Sequence, residues 1–108
     1  MRRGAIVLIR EKDSPAAKLR PCVIVQRSST LDLASRITAC PVTSVLKGPQ
    51  GGRPFVAPSV ENGLHSPSEV EFDWIYSFGR HRIITVIGQL EELAVTELDQ
   101  ALHAWLGL

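Results

Sequence analysis

Leu90-Glu91-Glu92-Leu93-Ala94-Val95-Thr96-Glu97-Leu98-Asp99-Gln100-Ala101-Leu102-His103-Ala104-Trp105 is the stretch that reads clearly as helix. Leu90, Leu93, Ala94, Leu98, Ala101, Leu102 and Trp105 recur at spacings of three and four, the period of one apolar helix face. Glu91 and Glu92 stand at its opening, where the helix dipole favours negative charge, and Gly107 supplies a stop. Upstream the pattern changes. Ala5 to Ile9, Cys22 to Gln26, Arg36 to Thr43, Phe55 to Ala57, Val70 to Ile75 and Arg82 to Leu90 are short runs with strand-like composition. Many short strands before one terminal helix predict a mainly β (α+β) fold: a small, strongly bent sheet or barrel closed by that helix.

The connections agree. Glu11 to Leu19 is polar and small, with Ser14-Pro15 inside it, and reads as a loop. Lys47 to Pro54 carries Gly48, Pro49, Gly51, Gly52 and Pro54, a loop or hairpin tip. Asn62-Gly63 marks a turn, since both residues tolerate positive φ. No repeat or linker divides the chain, so residues 1–108 are expected to form one domain. Ala5 to Ile9, the longest early apolar run, is too short for a membrane span or a secretory signal. The expected location is the cytoplasm, without membrane association. Cys22 and Cys40 are too few for a zinc site or a disulfide framework, and are expected to stay reduced and pack as apolar side chains.

A formal net charge of +1 argues against a strongly basic nucleic-acid binder. Its distribution argues the other way. Residues 1–60 hold ten of the twelve basic residues and three of the eleven acids, a net of +7. Residues 61–108 hold Arg80 and Arg82 against eight acids, a net of −6. Phosphate binding follows local potential, so the first half can build a basic groove on an acidic remainder. The plainer alternative is two solvated faces.

Phosphate-loop, dinucleotide and nucleophile-elbow signatures are all missing. His65, His81 and His103 are scattered, and an acid–base pair requires folding to bring His65 near His81. Glu69, Glu71 and Asp73 alternate along one expected strand without histidine partners, so a solvated strand face is expected there rather than a metal site. Neither metal nor cofactor is expected. Two stretches carry more information: Arg20-Pro21 opening a strand, and Pro41-Val42-Thr43-Ser44 closing one. An arginine at a strand mouth presents a fork of donors suited to phosphate. A nearby threonine hydroxyl bonds a phosphate oxygen or a ribose hydroxyl. The alternative is an arginine capping sheet carbonyls and a threonine present for strand propensity.

Taken in order, these motifs resemble the MazF/PemK toxin family. Arg3-Gly4, Arg20-Pro21 before an apolar strand, and Pro41-Val42-Thr43-Ser44 stand at the family's spacing. So do Gly63-Leu64-x-x-Pro67-Ser68, Asp73-x-Ile75, Ile87-Gly88-x-Leu90, Asp99-x-Ala101-Leu102 and Leu106-Gly107-Leu108. The resemblance implies an SH3-like barrel with a C-terminal helix, a homodimer, and a sequence-specific endoribonuclease that needs no metal. It implies single-stranded RNA as substrate, cleavage to a 2′,3′-cyclic phosphate and a 5′-hydroxyl, and a cognate antitoxin that occupies the RNA groove. It places the catalytic arginine at Arg20 and the catalytic threonine at Thr43. The base-reading pocket falls on Ser68, Asp73 and Trp74. Lys18 and Ser44, flanking the catalytic pair, join the expected substrate-binding set.

The chain also departs from the family. Ala5 stands where an acid is usual, and the loop from Lys12 to Leu19 is shorter and differently charged. The family's Asp-Gln-Ile-Arg becomes Asp73-Trp74-Ile75-Tyr76. Trp74 and Tyr76 either stack RNA bases or pack in the core or a dimer interface. Gly79-Arg80-His81-Arg82 is a basic turn, read as an RNA contact through Arg80 and Arg82. Because arginine is a poor proton shuttle, His65, His81 and Glu11 all remain candidates for proton transfer. A second expectation is a CcdB-like gyrase poison without nuclease activity, because Trp105-Leu106-Gly107-Leu108 resembles that family's ending.

Overall fold

A computed structural model describes all 108 residues. Its strands are β1 (Ala5–Arg10), β2 (Leu19–Ile24), β3 (Arg36–Thr43), β4 (Phe55–Val56), β5 (Ser68–Val70), β6 (Tyr76–Gly79) and β7 (Ile83–Gln89). They are followed by one helix, α1 (Glu92–Leu106). All strand pairs are antiparallel, in the order β4-β5-β3-β2-β1-β7, with β6 added against β3. The mainly β sheet with a closing helix is the architecture expected.

Strand β3 is the hub. Its first half pairs with β6 (Ile37 opposite Phe78), its middle with β2 (Val23 opposite Cys40), and its end with β5 (Val42 opposite Val70). One strand serving three partners curls the sheet, and both faces of the curl are buried. On one face Ile6, Val23, Cys40 and Val42 pack against Leu90, Ala94, Leu98 and Leu102. On the other, Val7, Ile9, Cys22, Ile24, Ile37 and Phe78 enclose Leu31. Successive side chains point to opposite faces, so β1 to β3 read as continuous apolar runs rather than alternating ones.

Four expectations change. The run Val70 to Ile75 is not a strand: β5 ends at Val70, and the chain turns through Phe72 and Trp74, whose N–H groups bond Val70 O (3.0 Å) and Glu71 O (3.1 Å). The acids there do not form a solvated strand face. Glu69 is buried, and its carboxylate accepts the backbone N–H groups of Lys47 and Gly48 at 3.0 and 3.1 Å. Glu71 and Asp73 face Arg53 instead. Strand β2 begins at Leu19, earlier than its apolar run, because Arg20 pairs with Ile9 on β1. The helix buries only Ala94, Leu98 and Leu102. Leu93 points about 100° off that stripe and is exposed. Trp105 meets Phe72 edge-on at 5.9 Å yet remains 58% exposed.

The Asn62-Gly63 turn is confirmed, with a role beyond reversing the chain. Gly63 has φ +70°, and a Cβ on it would lie 2.1 Å from the Ile87 carbonyl oxygen. A Cβ on Gly88 would lie 2.4 Å from the Asn62 carbonyl. Only two glycines let these backbones approach so closely. Buried Asn62 ties the turn down: its Nδ2 donates to Ala57 O (2.8 Å) and Glu91 Oε1 (2.9 Å), and its Oδ1 accepts from Ser59 and Leu64 N–H (3.0 Å each). Gly107 ends the helix at φ +71°, as its position predicts.

Candidate active site

Arg20 and Thr43 reach one cavity from neighbouring strands. Arg20 sits near the start of β2 and Thr43 at the end of β3, and the β2–β3 register (Cys22 opposite Pro41) sets both at the same sheet margin. Between them opens a cavity of about 580 Å³, walled also by Lys18, Ser44, His65 and Ser68. A second cavity of about 290 Å³ lies beside it, lined by Glu11, Arg20, Glu71, Trp74 and Tyr76. Arg20 borders both.

Thr43 is oriented by its own loop. Its Oγ1 accepts the Val45 N–H at 3.1 Å, which leaves the hydroxyl proton free to donate outward. The bonds from Lys47 and Gly48 to Glu69, which lies opposite Thr43 in the β3–β5 register, hold the loop that follows. Arg20 donates from Nε to Glu11, a short charged contact that raises the guanidinium pKa and lowers the Glu11 carboxyl. Arg20 therefore keeps its charge at all working pH values, with half of its side chain open to solvent. Glu11 is held in turn by Arg82, whose Nη1 donates to the Glu11 carbonyl at 2.9 Å.

The predicted site residues divide. Lys18, Arg20, Thr43, Ser44 and Ser68 surround the larger cavity, and Trp74 and Tyr76 line the smaller one with Arg20. Asp73, Arg80 and Arg82 line neither. Asp73 takes two hydrogen bonds from Arg53 at 3.1 Å, which depress its pKa. Arg80 Nε donates to the Ala34 carbonyl at 3.0 Å. Of Trp74 and Tyr76, the first is 63% exposed. The second packs its ring on Phe78 and places its hydroxyl 3.1 Å from Cys22 Sγ. Burial raises the Tyr76 pKa, so this phenol stays neutral.

His65 and His81 do not meet. His65 lies on the larger cavity, whereas His81 bonds Asp13 at 2.5 Å on a separate surface with Arg10 and Arg82. Cys22 and Cys40 are buried and unbridged, and burial pushes their thiols up to about 11 and about 12. No three His, Cys, Asp or Glu side chains converge as a metal-holding group, and no helix is long and apolar enough to cross a membrane. Sequence reasoning missed Glu71 and Arg53. Nothing local marks either, because their contact spans a long chain separation.

Known proteins resemble this chain over nearly its whole length. The chain is 27% identical over 108 residues to a probable endoribonuclease MazF of Mycolicibacterium smegmatis, covering all of this chain and 98% of that one. In shape it matches the Mycobacterium tuberculosis toxin MazF-mt6 (TM-score 0.78, 24% identity, 95% of this chain and 97% of that one). It also matches a MazE–MazF crystal structure from Deinococcus radiodurans (TM-score 0.79, 22% identity, 100% and 97%). The gyrase-poison alternative is not favoured, although exposed Trp105 does not itself decide against it. Residues 2–106 match the PemK-like, MazF-like toxins of type II toxin–antitoxin systems, and the chain belongs to that family.

Proposed function

We propose that this endoribonuclease of the MazF type cuts single-stranded RNA by in-line attack of a ribose 2′-OH on the adjacent phosphate, without a metal. The observation that carries this is Arg20 and Thr43 on the walls of one open cavity. The nucleophile belongs to the substrate, so the protein has to stabilise charge and move protons. The bond from O2′ to phosphorus forms as the bond to O5′ breaks, giving a 2′,3′-cyclic phosphate and a 5′-hydroxyl. Arg20 neutralises the charge on the non-bridging oxygens, and the free Thr43 hydroxyl proton donates to one of them. His65, the histidine on this cavity, takes the 2′-OH proton, and the departing O5′, on the opposite in-line side, takes its proton from water.

Lys18 and Ser44 hold the flanking phosphates, Ser68 lies toward the bases, and Trp74 and Tyr76 offer aromatic surface to them. Asp73 and Arg82 serve the site indirectly, one through Arg53 and the other by holding Glu11. Arg80 steadies the same basic turn through the Ala34 carbonyl. The structure of a mycobacterial endoribonuclease with its cognate antitoxin supports an antitoxin partner here, and membership of the toxin–antitoxin family fits action in the cytoplasm. Exposed Ile84 and Val86 on the edge strand β7 give a second copy an apolar surface, in keeping with a homodimer.

The test is incubation with long single-stranded RNA in chelator, followed by end mapping. The expected products carry 5′-hydroxyl ends, and Arg20→Ala and Thr43→Ala lower the rate by about 10²–10³. Cleavage that requires added metal, or variants as active as the parent, would overturn the mechanism.

A further inference from the structure

The smaller cavity contains a carboxylate that the mechanism above does not use. The Glu71 side chain is 17% exposed and accepts no hydrogen bond from the protein; its nearest cation is Arg53 Nη2 at 3.5 Å, beyond good hydrogen-bond geometry. Neither carboxylate oxygen is closed off from solvent or engaged by a protein donor, so both are open to accept from a bound group. The walls show what kind of donor. Trp74 is an exposed aromatic at the rim, Tyr76 forms part of the lining, and Arg20, which faces the scissile phosphate, is the shared border with the larger cavity. At about 290 Å³ the space lies at the lower end of ligand pockets, roughly 300–1,000 Å³, and suits one planar base rather than a run of nucleotides.

We propose that Glu71 reads a guanine in the nucleotide flanking the scissile phosphate, with Trp74 stacking on the base; this rests on the endoribonuclease function above. Two carboxylate oxygens match two adjacent donors. On the Watson–Crick edge only guanine offers them, as N1–H beside the N2 amino group. Adenine and cytosine place a ring-nitrogen acceptor beside their amino donor, and uracil flanks its single N–H with two carbonyls. Each of those sets an acceptor against the carboxylate, which repels it. Asp73, where the family resemblance places base reading, is already engaged by Arg53, so the selecting carboxylate in this chain moves two residues upstream.

The experiment uses the whole protein and short RNAs that differ only at the flanking position: guanosine, adenosine, cytidine, uridine, inosine or 7-deazaguanosine. Binding is measured on versions with a 2′-deoxy attacking ribose, and cleavage on all-ribose versions. Guanosine and 7-deazaguanosine are expected to bind at least about tenfold tighter than the other standard bases, with inosine between them because it lacks the amino donor. In Glu71→Gln the preference falls below about threefold, since an amide cannot accept from both donors. A structural defect would weaken every RNA together and leave the ratio intact. A wild-type protein without guanine preference, or a Glu71→Gln variant that keeps it, overturns the proposal. Cleavage without base preference leaves the endoribonuclease function standing, whereas selective binding without cleavage removes that function and keeps the subsite.

Discussion

Glu11 accepts the Nε hydrogen bond of Arg20, so the guanidinium assigned to the scissile phosphate carries a carboxylate on its flank. Glu11 orients the fork and also competes with phosphate for it. Glu11→Gln keeps an acceptor for Nε but removes the competing charge. RNA binding is then expected to tighten several-fold, with a steeper dependence of affinity on salt as Arg20 takes fuller part in counterion release. Titration of a 2′-deoxy RNA at several salt concentrations checks both. Unchanged affinity would mean that Arg20 does not meet phosphate.

His65 is the histidine assigned to proton transfer, since it lies on the larger cavity and His81 is engaged by Asp13 on another surface. His65→Ala is expected to lower the single-turnover cleavage rate by about 10²–10⁴ while leaving the affinity for uncleavable RNA within a few-fold. His81→Ala should cut at nearly the parent rate. The reverse pattern would move the proton-transfer role to the loop anchored by Asp13.

Arg53 is a nearly buried cation, 8% exposed, holding Asp73 with two hydrogen bonds and Glu71 at longer range. Because the folded state depresses the Asp73 pKa, its contribution to stability is complete above the ordinary carboxylate value of about 3.9 and is lost as pH falls through the lower folded value. Arg53→Met is expected to cost about 1–2 kcal/mol at pH 7, discounted for the partial exposure of Asp73. The gap between variant and parent should narrow below about pH 4. Urea denaturation at pH 7 and pH 3 measures both; a gap that widens in acid would refute the assignment.

Buried Cys22 and Cys40, with thiols pushed up to about 11 and about 12, stay protonated at neutral pH. The native protein should react with a thiol reagent only at the rate of its own opening, and two equivalents should appear at once in denaturant. Fast labelling of either thiol in the folded state would contradict the packing.

The elements that were legible are those whose own residues decide them. Arg36 to Thr43 is strand from end to end because its apolar residues serve both faces, and Gly107 ends the helix because the left-handed turn there suits glycine. The stretch from Glu69 to Asp73 was misread for the opposite reason. Its alternating acids imitate a half-exposed strand, while their placement is set by Arg53 and the Lys47–Gly48 backbone, both distant in sequence. Arg20 and Thr43 were visible through their motifs, and the structure brings them to one cavity. Glu71 had no such signal, since neither its burial nor its vacant oxygens leaves a mark on neighbouring residues. Trp105 shows a related limit: periodicity gives the side of the helix on which a residue lies, not whether anything covers it.

The Asn62 turn has a consequence for how the molecule comes apart. One side chain joins the Ala57 carbonyl, the turn preceding His65, and Glu91 at the start of α1, while Gly63 and Gly88 interlock that turn with β7. Ser59 Oγ, which also donates to Glu91 (2.9 Å), and the Gln89 N–H, which donates to the Glu61 carbonyl (2.9 Å), add to this tie, so these segments should open as one cooperative unit. Hydrogen exchange at Gly63, Leu64 and the first turn of the helix is then expected to share a single opening free energy. The His65 loop is therefore not loosened by fraying the helix start alone.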